Sequence, residues 1–253
     1  MKFLKNNPRY WLEYDFYNKS DGQAEIIVVD GTSCIYDNRE LYCMASDYDR
    51  SKTNDITRTI ASKAVLKSGS QILFNFNISI DDNIDDEIRY LSGNGHKHIR
   101  IYDSYVSGDV ESSIFHNNMT ASVVELTKEN FSDYRLNECN ENNKFRPTLE
   151  HLIEVFIGRE QGNIIVYVEN GSVLGYLSYI EMFYGAYDID YIFVPVKYRR
   201  RGIGSALGGC YIRRAHSENK KAFWSNVNEG SLYVALNNGC NLCCRHLCFT
   251  KQY

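Results

Sequence analysis

The sequence predicts an α/β fold in two domains, and three observations carry that reading. The chain has 253 residues, 43% of them hydrophobic and 24% charged, which supplies a real core and more length than one ordinary domain needs. Strands and helices alternate through the second half with clear turn chemistry between them. Within that alternation, the run Val194-Pro-Val-Lys-Tyr-Arg-Arg-Arg-Gly-Ile-Gly-Ser205 sets Arg199-x-x-Gly202-x-Gly204 between a strand at 191–194 and a helix that begins near Ile203. A glycine-rich turn opening a helix leaves backbone N–H groups unpaired around one point, with the positive end of the helix dipole behind them. That is an anion site suited to a phosphate-bearing cofactor, and the arginines add charge to it.

In the first half, residues 24–29 and 41–45 are expected as strands, 56–66 as a helix, 71–77 as a strand, 85–91 as a helix and 98–102 as a strand. The polar stretch 107–120 marks the boundary, dividing the chain into domains 1–118 and 119–253. In the second half, 122–126 is a short strand and 127–140 a helix. A second helix follows Pro147, with Leu149, Leu152, Ile153, Phe156 and Ile157 at helical spacing. Strands 164–168 and 173–180 flank Asn170-Gly171, the preferred two-residue hairpin turn. A strand at 187–194 leads through the glycine turn into a helix whose Ile203, Ala206, Leu207, Cys210 and Tyr211 form one stripe. A strand at 221–227, a short helix at 230–238 and a last strand at 243–249 complete the order.

Charge and hydropathy exclude several function classes. A formal net charge of −4 argues against a nucleic-acid partner, because phosphate contacts need clustered Lys and Arg. A mildly acidic surface suits a cationic substrate such as an amine instead. No stretch approaches the roughly 20 apolar residues of a membrane span, so no membrane partner is expected. The opening Met-Lys-Phe-Leu-Lys-Asn-Asn-Pro breaks off before a signal-peptide core could form, which points to a cytoplasmic protein. Of the eight cysteines, Cys34, Cys43, Cys139 and Cys210 are scattered through apolar patterns and read as reduced core residues.

The second half, about residues 120–253, resembles the GNAT superfamily of acyl-CoA N-acyltransferases. The resemblance rests on the element order, the Arg199-x-x-Gly202-x-Gly204 turn after a strand, and a downstream Asn228-x-x-Ser231 followed by Gly239-Cys240, where the family usually ends in Gly-Phe. A dinucleotide site is disfavoured, since Gly208 does not supply the third glycine of Gly-x-Gly-x-x-Gly at its spacing. The resemblance implies a GNAT-like mixed, mostly antiparallel twisted sheet flanked by helices, with the N-terminal α/β domain as a candidate degenerate copy.

It also implies acetyl-CoA as co-substrate and a small-molecule or peptide amine as acceptor; self-association as a homodimer stays open. On that basis the backbone amides of Arg200, Arg201, Gly202, Ile203, Gly204 and Ser205, with the charge of Arg199, would hold the pyrophosphate. Ile192, Phe193 and Val194 would face the pantetheine arm like a missing strand, and Asn228 would contact the cofactor. The amine would attack the thioester directly, with a backbone N–H holding the oxyanion.

An alkyl ammonium must lose a proton first, so a base is needed. Asp188 and Asp190 lie two apart on one strand and so should share a face. Asp188 falls where some family members carry a catalytic Glu and is the first candidate, with Glu181 second. Many members place a Tyr seven residues after the motif Asn to protonate the leaving thiolate. Here that position is Ala235, and Tyr233, two residues earlier, lies roughly 200° around the helix. Tyr233 is the candidate acid, and its absence from the usual place raises a second class of function, a CoA-binding regulatory or interaction module.

Three further clusters are read as structural. Cys240-x-x-Cys243-Cys244-x-His246-x-Cys248 is too short to enclose a metal and is expected as a core strand, so no metal is assigned. His96 and His98, beside Gly93 and Gly95, read as a polar loop. Asp81-Asp82 and Asp85-Asp86-Glu87 read as acids dressing a helix start.

Overall fold

Two dipeptides, Asp30-Gly31 and Asn170-Gly171, open the two halves of the fold in the same way. Their φ angles are 46° and 81° in the first pair and 50° and 74° in the second. Two successive positive φ values define the tight turn whose twist matches the flanking strands. Asp30-Gly31 joins β1 (Glu25–Val29) to β2 (Thr32–Asp37), and Asn170-Gly171 joins β7 (Asn163–Glu169) to β8 (Ser172–Met182). The computed structural model describes residues 23–64, 66–79, 81–108, 122–136, 139, 147–160, 162–182, 185–227 and 229–253.

The described residues fall into two units, one drawn from Met1–Ser104 and Cys243–Tyr253, the other from Tyr105–Leu242. The division therefore does not follow the expected boundary at 118/119. In the first unit, β1 and β2 are followed by β3 (Tyr42–Ala45), α1 (Arg50–Lys63), β4 (Gln71–Ile78), α2 (Ile84–Gly93) and β5 (Lys97–Ser107). After β6 (Val123–Glu125), the second unit holds α3 (Leu149–Leu152) and a π-helical turn (Ile153–Gly158) before β7 and β8. Then come β9 (Ala186–Phe193), α4 (Ile203–Ser217), β10 (Lys221–Val227), α5 (Glu229–Asn237) and β11 (Cys240–Gln252). From β1 and from β7 the order is the same, β-β-β-α-β-α-β, once β2, missed in the sequence, is counted, which fits the expected degenerate copy. Asp30-Gly31 was the signal for β2.

Within each repeat one pair is parallel, β3 with β4 and β9 with β10, while the hairpins are antiparallel. The sheet is thus mixed and mostly antiparallel, with helices against it. The last strands explain the shifted boundary. Phe249 stacks against Phe74 and Phe76, both at 5.5 Å between ring centroids, and β11 pairs antiparallel with β4 from Arg245↔Ile78 to Gln252↔Gln71. Burial of Leu247 and Phe249 in that aromatic cluster holds residues 243–253 in the first unit. In the second unit the end of β5 lies by β10, where the Ala222 N–H donates to Ser107 Oγ at 3.1 Å.

Other expectations need correction. Residues 127–140 were expected as a helix, but their described part is a turn with a short 3-10 segment at Phe131–Asp133. Asn130 diverts the backbone there: its Oδ1 accepts from the Thr127 N–H at 2.8 Å and its Nδ2 donates to Glu125 O at 3.0 Å. Arg135 is extended, bonded through its N–H to Gly171 O and through its carbonyl to the Val173 N–H, both at 2.9 Å. Helix α1 starts earlier than expected, at Arg50, because Asp49 caps it. His96 is buried, with Nδ1 on Leu91 O at 3.1 Å, so it is no surface loop residue. Asp85, Asp86 and Glu87 do occupy the first turn of α2. Among the described residues, no helix is long and apolar enough to cross a membrane.

Candidate functional site

Strands β9 and β10 run parallel and then part. Their register goes from Lys221↔Ala186 to Phe223↔Asp188 and, among the described residues, no further. Past that point the ladder of β9 continues on its β8 side, with Leu177↔Ile192 and Tyr176↔Phe193. Beyond Asp188 β10 is no longer in register with β9 among the described residues. Ile192 and Val194 pack against the α4 side of the sheet, while Tyr191 and Phe193 pack against the α3 side.

A bulge sits on that stretch. Tyr179 faces Ile189 and Ser178 faces Tyr191, so Asp190 has no opposite residue. A bulge leaves the extra residue outside the ladder and bends the strand. It also inverts the alternation, since Tyr187 and Ile189 face the α4 side before it and Ile192 and Val194 after it. Asp190, as the extra residue, stands outside the simple alternation on which a shared face with Asp188 was expected.

Two side chains close the lower end of the opening. The Tyr211 hydroxyl, fully buried, lies between the strands, donating to Tyr187 O at 2.6 Å and accepting from the Phe223 N–H at 3.2 Å. Asp188 accepts from the Ser225 N–H at 3.1 Å and from Ser225 Oγ at 2.8 Å. The Ser225 amide is thereby bound to a side chain, where continued pairing would have given it a strand carbonyl. Asp188 thus acts as a wedge at the point where the strands separate. Tyr211 was read only as part of the buried helix stripe and Ser225 not at all, because nothing local marks a residue that bonds across strands.

The opening leads to the glycine turn. Arg200 and Gly202 both have positive φ, 64° and 79°, with Arg199 extended before them. Such alternation curls successive N–H groups around one concavity. Gly202 caps α4 with no side chain in the role, and the first intrahelical bond is the Ala206 N–H to Gly202 O at 2.9 Å. The N–H groups of Ile203, Gly204 and Ser205 therefore precede the ladder.

The arginines divide their work. Arg199 Nε donates to Val194 O at 3.0 Å and fixes the turn to the strand. Arg201 is paired with Glu169 at 2.8 Å, so its charge is largely neutralised. Arg200 makes no ion pair among the described residues and is the cation the turn presents to solvent. Further along α4, a Cβ on Gly208 would meet Val234 at 2.9 Å and both Trp224 and Asn238 at 3.0 Å, so only glycine lets α5 and β10 approach this closely.

The three catalytic candidates do not converge. Asp188 stands at the parting of the strands. Glu181 faces Tyr187 across the β8–β9 ladder and is paired with Lys220 at 3.1 Å, at the closed end. Lys220 there also bonds the Tyr187 hydroxyl at 2.9 Å and Glu218 at 3.0 Å. Tyr233 is 62% exposed on the outer side of α5, whereas Ala235 is fully buried in the core between α4, α5 and the sheet. Asn228 lies outside the described residues.

The first repeat has neither feature. Its parallel pair stays closed along all of β3, from Tyr42↔Leu73 to Ala45↔Phe76. Its strand-to-helix turn is Ser46-Asp47-Tyr48-Asp49, and the Asp49 carboxylate already accepts from the Ser51 N–H at 2.9 Å. An acidic, self-capped turn repels phosphate.

Residues 122–236 match the model of the acetyltransferase (GNAT) family. That stretch is a GNAT-family domain. It contains the parting strands, the bulge and the glycine turn together. No curated protein sequence matches the chain. Among solved structures, a GCN5-related N-acetyltransferase from Sphaerobacter thermophilus is similar at 14% identity and a TM-score of 0.58, over 94% of this chain and 85% of that one. A GCN5-related N-acetyltransferase from Kribbella flavida is similar at 9% identity and a TM-score of 0.58, over 97% of this chain and 96% of that one. At such identities the likeness concerns the fold, and it extends beyond the GNAT domain into the first repeat.

Proposed function

We propose that the GNAT domain transfers an acetyl group from acetyl-CoA to the amine of a small molecule or peptide, by direct attack in the opening between β9 and β10. The observation that carries this reading is the parting of two parallel strands beside an uncapped glycine turn. The N–H groups of Ile203, Gly204 and Ser205 and the Arg200 guanidinium bind pyrophosphate. The edge of β9 at Ile192, Phe193 and Val194 orients the pantetheine arm, and one of its backbone N–H groups polarises the thioester carbonyl. Asn228 remains a cofactor contact by resemblance.

In this reading Asp188 is a positioning residue. Each of its oxygens accepts one hydrogen bond from Ser225, which holds the parting strands, and the amine's proton passes to water. Glu181 and Tyr233 take no part, the first because Lys220 holds it at the closed end and the second because it points outward. Calorimetry with acetyl-CoA, followed by a thiol-release screen of amines, tests the proposal. Absence of binding at micromolar concentration sinks it.

Burial of Ala235, where the family resemblance expects a tyrosine, favours a second reading, a CoA-binding regulatory module. Binding of acetyl-CoA with no thiol release above the buffer rate for any amine supports that module over the enzyme.

A further inference from the structure

Trp224 lies one residue past Phe223, the last residue of β10 in register with β9, and so at the margin of the opening. Its side chain is 3% exposed and packs in the same cluster as Ala235, Tyr211 and Leu207. The indole lies nearly parallel to the Tyr211 ring, 6.1 Å away with 21° between the planes, and its six-membered edge fills the space above Gly208. The indole Nε1 is buried and, among the described residues, has no hydrogen-bond partner. An unpaired buried donor is costly, and folded proteins retain few of them. One whose residue borders two parting strands can be met by an acceptor that arrives with a ligand.

Position 235, where the family resemblance expects a tyrosine, is a buried alanine, and position 224 in the same cluster supplies a large aromatic with a single polar hydrogen. We propose that Trp224 is a catalytic residue whose indole N–H donates to the sulfur of CoA and stabilises the leaving thiolate in place of a hydroxyl at 235. This rests on the proposed acyl-CoA reading. In the transfer, the amine nitrogen forms a bond to the acetyl carbon, the carbon–sulfur bond breaks, and its electron pair goes to sulfur. The amine's proton leaves to water. The indole is too weak an acid to give up its hydrogen, so it holds the charge on sulfur, and the thiolate takes a proton from water on release.

The test uses the full chain. Calorimetry first establishes CoA binding to wild type; if CoA does not bind, both the acyl-CoA reading and this proposal fall. With binding shown, the thiolate absorbance of bound CoA is followed against pH in wild type and in Trp224→Phe, which keeps an aromatic ring and removes the donor. The expected result is a bound thiol that ionises at lower pH than free CoA in wild type, and a return toward free CoA in the variant. A fall of roughly tenfold to a hundredfold in kcat, with little change in KM for acetyl-CoA, accompanies it.

A second measurement leaves position 224 intact. In Trp11→Phe, where Trp224 is the sole remaining tryptophan, CoA should change the indole emission more than desulfo-CoA does. Equal titration curves for the bound thiol in wild type and Trp224→Phe, or equal emission changes with CoA and desulfo-CoA, overturn the proposal while leaving CoA binding standing. So does faster transfer in Trp224→Phe, which would mark the indole as a plug.

Discussion

Replacing Asp188 separates a wedge from a base. The carboxylate accepts two hydrogen bonds from Ser225, at 3.1 Å from the backbone N–H and 2.8 Å from the hydroxyl. Hydrogen bonds to a charged group are worth about 1.5–3 kcal/mol each, and a half-buried site lies at the lower end. Asp188→Ala removes both and strands the Ser225 N–H, so a loss of about 2–4 kcal/mol of stability is expected. Asp188→Asn keeps an oxygen to accept from the Ser225 N–H, and the serine hydroxyl can turn to accept from the amide. Its cost is about 1 kcal/mol, the difference between charged and neutral hydrogen bonds. The opening should survive in Asn and partly close in Ala. Denaturant unfolding measures the first quantity, and kcat/KM for acetyl-CoA with a saturating amine measures the second. Asn should retain activity within about threefold of wild type while Ala loses at least tenfold, about 1.4 kcal/mol in the barrier. A base contributes about a hundredfold or more. A loss of that size in Asn, with stability and CoA affinity kept, would refute the wedge and restore Asp188 as the proton acceptor.

Gly202→Ala places a Cβ on a residue with φ of 79° inside the anion cradle, at a backbone cost of about 1–2 kcal/mol, and calorimetry should show at least tenfold weaker CoA binding. The same titration on wild type should give one CoA per chain, because the acidic, closed first repeat offers no second cradle; a stoichiometry of two contradicts this. Lys220→Met breaks the contacts to Tyr187, Glu218 and Glu181 and should cost about 1–3 kcal/mol by thermal unfolding. Hydrogen bonds from Tyr187 and Lys220 hold the Glu218 carboxyl below its ordinary value, so its contribution is present above about pH 4.3 and lost as pH falls through the lower folded value. Burial opposes the Lys220 charge, but bonds to Tyr187, Glu218 and Glu181 raise its pKa overall, so its contribution persists below about pH 10.4 and is lost only as pH rises through the higher folded value. The stability gap between wild type and Lys220→Met should therefore stay flat across neutral pH and narrow in acid; a gap that widens below about pH 4 contradicts the assignment.

The sequence by itself determined the local features. Asn170-Gly171 specified its hairpin because two positive φ values suit those residues. Arg199-x-x-Gly202-x-Gly204 specified an uncapped helix start because glycine alone leaves that backbone bare, and the apolar stripe from Ile203 to Tyr211 specified the buried face of α4. The core strand read at 243–249 is there as well, within β11, with Cys240, Cys244 and Cys248 buried.

Only the tertiary structure decided what is non-local. The bulge at Asp190 depends on the register with β8, and it inverts which residues of β9 face α4 beyond it. The division of the chain turned on where Leu247 and Phe249 find aromatic partners, which residues near them in sequence do not reveal. The roles of Asp188, Ser225 and Trp224 arise where two strands stop pairing. A sequence records each strand's own pattern, but the point at which two strands separate is set by the side chains that come between them.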